Sequence, residues 1–237
     1  MNKKVISYNE IALFLYKKGV EKMNNGFERR AYSFDVRATE GSNGEKIITG
    51  RPIVYEAKTD LGYFDEVIAR GALDGADMKD VRFLVNHDTS MIPLARSRRN
   101  NGNSTMKLST DFDGMNIDFV KLDVENNSDA RALYSAVQRG DITGMSFMFS
   151  IDAQEWLDLD SEHPTRRITK IGRVVEVSAV TFPAYDATEI SARSREALEN
   201  ARLDLEKARE QRAESVDTDN NLELEKAKYN YLFKNGG

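Results

Sequence analysis

The chain has 237 residues, 40% of them hydrophobic and 31% charged, a balance that suits a soluble globular protein with one good-sized domain and appendages. It holds no cysteine, which excludes disulfides, thiolate metal sites and cysteine nucleophiles. Its two histidines, His87 and His163, form no HxxxH or HxH pair, so neither metal nor cofactor is expected. A net charge of -5 offers no basic surplus for nucleic acid, no phosphate-cradling glycine motif is present, and no apolar run approaches the ~20 residues of a bilayer span.

Residues 1 to about 28 read as a helical appendage, with Ile11, Phe14 and Leu15 on one face and a breaker at Asn24-Asn25-Gly26. Its apolar stretch is too short for a secretory signal, which places the expected protein in the cytoplasm of the cell that makes it. From Arg29 the period changes: Tyr32, Phe34, Val36 and Ala38 alternate with polar residues, as in a half-buried strand. A turn at 41–44 predicts a hairpin with Lys46 to Tyr55, where Pro52 favours an edge or a bulge. Phe64 to Ile68 is a short strand, followed by a break at Arg70-Gly71-Ala72-Leu73 and a brief helix.

Val81, Phe83, Val85 and His87 alternate, which puts His87 at the last position of a strand. Ser104 to Leu108 and Met115 to Leu122 pair around Asp113-Gly114. The spacing predicts a helix over 129–139, capped by Asn127 or Ser128, striped with Ala130, Leu133, Tyr134 and Val137, and stopped by Gly140. Strands follow at Gly144 to Asp152 and at Arg167 to Thr181, the second kinked near Gly172. Roughly seven strands and one or two inserted helices suggest an α+β fold: a single, mainly antiparallel β-barrel over 29–193, decorated by helices. Beyond it, 194–237 reads as a charged helical tail outside the barrel. Its narrow stripe of Leu198, Ala201, Leu205 and Ala208 is followed by a polar gap and a last short helix.

Three residues could carry chemistry. His87 is either a surface histidine at a strand end or a general base, since imidazole best takes a hydroxyl proton near neutral pH. Ser146, in Gly144-Met145-Ser146-Phe147, is either a small polar filler or a nucleophile. The segment lacks the second glycine of a GxSxG elbow, because Met148 stands there. Glu176 lies in an almost wholly apolar strand and needs a partner. That partner is either an arginine such as Arg173 or Arg70, or the His87 ring. Ser150 and Ser178 read as ordinary strand serines.

Taken as an ordered set, these segments resemble the tailed-phage prohead protease family over about residues 29–193. The match runs through Gly50-Arg51-Pro52-Ile53-Val54-Tyr55, Glu66-Val67-Ile68-Ala69-Arg70-Gly71-Ala72-Leu73, Asn86-His87-Asp88, Pro93-Leu94-Ala95-Arg96, Arg139-Gly140-Asp141-Ile142, Gly144-Met145-Ser146-Phe147 and Glu176-Val177-Ser178 through Pro183-Ala184-Tyr185. The family is distantly similar to the herpesvirus maturation protease, which implies a barrel ringed by helices. The resemblance implies a serine endopeptidase with Ser146 as nucleophile, His87 as base and Glu176 as the third member. The herpesvirus relatives use a second histidine there, but His163 sits in a polar loop. Also implied are cleavage of scaffold or capsid-protein extensions and of itself inside the immature capsid, with no nucleic-acid or membrane partner; self-association is left open. The same barrel and tail would also serve a non-catalytic assembly or scaffolding protein, which has no reason to retain all three residues.

Overall fold

The computed structural model describes residues 27–32, 36–181, 197–214, 223 and 225–226. Eleven strands are named here in chain order: β1 Phe27–Tyr32, β2 Arg37–Glu40, β3 Lys46–Val54, β4 Lys58–Asp60, β5 Asp65–Ile68, β6 Arg82–Val85, β7 Ala95–Arg96, β8 Met106–Asp111, β9 Gly114–Leu122, β10 Gly144–Leu157 and β11 Thr165–Val180. Two α-helices join them: α1, Ser128–Arg139, and α2, residues 197–214. The expected N-terminal helix lies outside the described residues, and of the last short helix only residues 223 and 225–226 are described, all helical.

The fold is mainly β with two helices, but among the described residues the strands form two sheets and no closed barrel. The larger has the order β1-β10-β11-β5-β4, with β6 also on β11 and β7 on β6; the smaller is β2-β3-β9-β8. The alternating stretch from Arg29 to Ala38 is therefore not one strand. Its first part, β1, joins the larger sheet and its end, β2, joins the smaller. One core cluster draws Ile48, Ile53 and Val120 from the smaller sheet, Phe147, Phe149 and Ile168 from the larger, and Leu133 and Val137 from α1. Side chains alternating along each strand supply that shared core, so the two sheets stabilise each other.

Local chemistry explains the elements that were read correctly. Asn127 caps α1, its side chain accepting from the backbone N–H groups of Asp129 and Ala130, and Gly140 closes it in the left-handed region at φ 79°. The β3–β9 register shifts between Ile48 and Gly50 and again between Gly50 and Ile53, a stretch that includes Pro52, which has no N–H to give the ladder. The helix expected after Leu73 is instead a series of turns in which Gly71 and Gly75 take φ 80°. A left-handed residue every four positions prevents a helix from propagating.

Two pairings break the antiparallel expectation and matter most for the site. β11 runs parallel to β5 through Thr165–Ile168, and parallel to β6 through Glu176–Ala179. The far end of the β10–β11 hairpin carries α2. Ala197, Ala201 and Leu205 of α2 are buried, and Arg209 donates to the carbonyls of Leu159 (3.0 Å) and Ser161 (2.7 Å). This charged helix thus docks on the protein by its narrow stripe, with its arginines satisfying an exposed turn.

Candidate active site

Strands β10, β11 and β6 lie side by side, and each contributes one element of the site. On β10, Met145, Phe147 and Phe149 are fully buried, and Ser146 between them faces the other way. Ser146 pairs with Ser178 across the β10–β11 ladder, and Met148 pairs with Glu176. Because β6 is parallel to β11, with Leu84 opposite Ser178 and Val85 opposite Ala179, the residues just after β6 emerge beside the same carboxylate.

The chain then turns sharply. Asn86 and His87 both adopt left-handed backbone angles, φ 50° and 57°, so His87 lies beyond the strand rather than at its last position. Two consecutive left-handed residues without a glycine cost of the order of 1 kcal/mol each, and such strain persists only where surroundings enforce it. The enforcement is visible. Asn86 N–H donates to Ala179 O, its side-chain amide donates to Thr181 Oγ1, and its Oδ1 accepts from Thr181 N–H, each at 2.9 Å.

The turn folds the imidazole back between a carboxylate and a hydroxyl. His87 Nδ1 lies 2.6 Å from Glu176 Oε2, and His87 Nε2 lies 2.5 Å from Ser146 Oγ. With Glu176 ionised, Nδ1 carries a proton and donates it, which leaves Nε2 of the neutral ring as an acceptor aimed at the serine. Glu176 is buried, and its other oxygen, Oε1, accepts a short hydrogen bond from Ser178 Oγ. Ser178 Oγ in turn accepts from the His87 backbone N–H at 3.0 Å. A closed ring of contacts therefore holds the histidine by both its backbone and its side chain to one carboxylate.

Geometry distinguishes the partners that Glu176 could have had. Arg173 pairs with Asp77, and Arg70 donates to Phe112 O while stacking on the Phe112 ring, so Glu176 has His87 and Ser178 as its partners instead. His163 sits beside Asp65 (3.1 Å) and Asp60 (3.5 Å) at the other end of the hairpin. Arg96, from the Pro93-Leu94-Ala95-Arg96 motif, is held by Asp80 in a two-pronged pair at 2.6 Å. Ser178 is the residue that sequence reasoning missed: read as an ordinary strand serine, it bridges His87 and Glu176. Its two-residue spacing from Glu176 in a strand was the available signal, since it puts both side chains on one face.

A serine, a histidine and a carboxylate in one hydrogen-bonded line are the parts of an acyl-transfer site. The family model of the caudovirus prohead serine protease matches residues 32–202. The chain belongs to this family. As a prohead serine protease it is a hydrolase of bacteriophage capsid maturation. The match takes in Asn86-His87-Asp88, Ser146, Glu176 and Ser178, so the whole assembled site falls inside it. No curated protein and no solved structure matches the chain. Among the described residues no helix is long and apolar enough to cross a membrane.

Proposed function

We propose that the protein is a serine endopeptidase of the Ser-His-Glu type, with Ser146 as nucleophile, His87 as proton shuttle and Glu176 as the group that orients and charge-balances the imidazole. The observation that carries this is the continuous line Ser146 Oγ–His87 Nε2 (2.5 Å) and His87 Nδ1–Glu176 Oε2 (2.6 Å). Oγ bonds to the scissile carbonyl carbon as its proton passes to Nε2, and the imidazolium then gives that proton to the departing amine as the C–N bond breaks. Water, activated by the same nitrogen, releases the acyl group. Glu176 accepts from Nδ1 throughout and balances the imidazolium charge, while its other oxygen accepts from Ser178.

Its substrates are scaffold or capsid-protein extensions cut within the immature capsid of the host cell, consistent with family membership. Self-cleavage belongs to the same proposal, on the C-terminal side between about Arg193 and Asn221. Residues 197–214 are helical and docked. An extended cleft does not accept helical backbone, so the cut is placed outside 197–214, in the polar sequence Ser215 to Asn221. The deciding experiment incubates the wild type and Ser146→Ala with the phage's capsid and scaffold proteins. Cleavage by the wild type alone supports the proposal; equal cleavage by both proteins refutes Ser146 as the nucleophile, and cleavage by neither refutes the proposal and leaves a non-catalytic assembly role.

A further inference from the structure

A nucleophile must meet a substrate carbonyl, yet Ser146 is only 1% exposed. What covers it is β1. This strand lies antiparallel along β10, with Ala31 opposite Ser146, and forms the outer edge of the larger sheet. The carbonyl oxygen of Arg30 sits 2.7 Å from Ser146 Oγ. A hydroxyl has one proton, so Ser146 cannot donate to Arg30 O and to His87 Nε2 at once. A backbone carbonyl of an extended strand thus already stands against the nucleophile, competing with the base for its proton.

The side chains of β1 are held by an unusual set of partners. Arg30 forms a two-pronged pair with Glu66 of β5, which is also 1% exposed and accepts from Arg166 of β11 at 3.2 Å. Glu28 lies against Arg30 and receives two bonds from the nearly buried Arg166, both 2.9 Å. Burial alone would raise the Glu28 carboxyl, but the two guanidinium groups outweigh it and hold it below the ordinary value. If β1 left, Glu66 and Arg166 would still pair with each other, but Glu66 would lose Arg30 and Arg166 would lose Glu28, two buried charge contacts that an incoming strand could restore.

We propose that the β10 edge now covered by β1 is the substrate-strand site, and that Glu66 and Arg166 recognise an extended peptide with a basic residue at the scissile carbonyl and an acidic residue two positions before it. The proposal rests on Ser146 being the nucleophile. Main-chain pairing with β10 supplies affinity for any strand, and the buried charges supply selectivity. The bond after the basic residue breaks, Oγ taking its carbonyl carbon and His87 passing the hydroxyl proton to the departing amine. β1 is then an internal competitor at high effective concentration, which keeps the resting protein quiet until substrate strands are crowded around it.

The test uses the full chain and two readouts. Fluorogenic peptides carrying the β1 sequence Phe-Glu-Arg-Arg-Ala-Tyr are compared with versions in which the second arginine or the glutamate becomes glutamine. Losing a buried charge-assisted pair should lower kcat/KM about 10- to 100-fold for the arginine change, with a smaller loss for the glutamate change, and Glu66→Gln should erase the arginine preference. Separately, a fluorophosphonate should label Ser146 about tenfold faster in Arg30→Gln than in the wild type, because β1 is held less tightly. Should Arg30→Gln not fold, Glu28→Gln loosens the same strand through Arg166. Labelled Ser146 and cleaved capsid protein, together with no preference for the basic peptide and no gain on loosening β1, would overturn the strand-site inference alone. No labelling of Ser146 in any variant would overturn the catalytic assignment and this inference with it.

Discussion

The two histidines of this chain each sit against a carboxylate, and comparing them shows what separates an enclosed pair from a surface one. His163 is 39% exposed and touches Asp65 and Asp60, while Lys58 also reaches Asp65 at 2.5 Å. Its ring is partly open to solvent beside two acids, its backbone N–H donates to Ser161 Oγ, and among the described residues no hydroxyl is hydrogen-bonded to the ring. His87 is largely enclosed: one nitrogen faces a buried carboxylate, the other a buried serine, and the backbone N–H is tied to Ser178. The pair itself is common to both ends of the hairpin. Enclosure, a third group and a strained backbone locked in place occur only at the β6 end.

Replacing either reacting group should break that contrast most severely. Ser146→Ala and His87→Ala are expected to lower kcat against capsid substrate by about six orders of magnitude, read by gel or peptide assay, while circular dichroism stays native. Residual activity within tenfold of wild type in either variant would remove that residue from the mechanism. Next comes Glu176→Gln, which keeps the shape but lets the imidazole take the wrong tautomer and leaves the imidazolium unbalanced. A loss of about 10⁴-fold in kcat with little change in KM is expected. Ser178→Ala removes the bridge without touching a reacting atom, and a loss of about 10- to 100-fold in kcat is expected. A purely structural role would instead move the unfolding midpoint and leave kcat alone, and Ser178→Thr, which keeps the hydroxyl, should restore part of the rate.

The His163 end gives the smallest effects. His163→Ala should leave kcat/KM unchanged within about twofold. A dead His163→Ala beside an active Glu176→Gln would exchange the roles of the two ends. Burial pushes the Asp65 carboxyl up, but its bonds to Lys58 and His163 prevail and hold it below the usual carboxylate range. A depressed folded value means stability that is present above the unfolded value near pH 4 and lost as pH falls through the folded one. Asp65→Asn should therefore lower stability by about 1 kcal/mol or less at pH 7, and by progressively less as the pH falls below about 4, in urea titrations over that range. A pH-independent loss would mean that packing, not charge, is at stake.

Much of the site was legible along the chain because each piece carried a local signal. The alternation ending near His87, the Gly144-Met145-Ser146 strand entry and an acid among valines could all be read residue by residue, as could the Asn127 cap and the Gly140 stop. What could not be read is long-range. The parallel pairing of β6 with β11 joins residues about ninety positions apart with no turn to announce it. Without that pairing His87 and Glu176 have no reason to meet. The two- and three-residue strands β7 and β4 are too short to show a period. The split between β1 and β2 was hidden because one alternating pattern serves two sheets equally well. The docking of α2 includes Arg209 reaching two backbone carbonyls of a turn, a contact with no sequence signature.

The central claim, that His87 activates Ser146, is tested most directly by covalent labelling with a fluorophosphonate, read by intact mass and peptide mapping. A single adduct on Ser146 is predicted, lost in His87→Ala and slowed in Ser178→Ala. An adduct on another serine such as Ser150, or labelling of Ser146 at the same rate once His87 is gone, would contradict it.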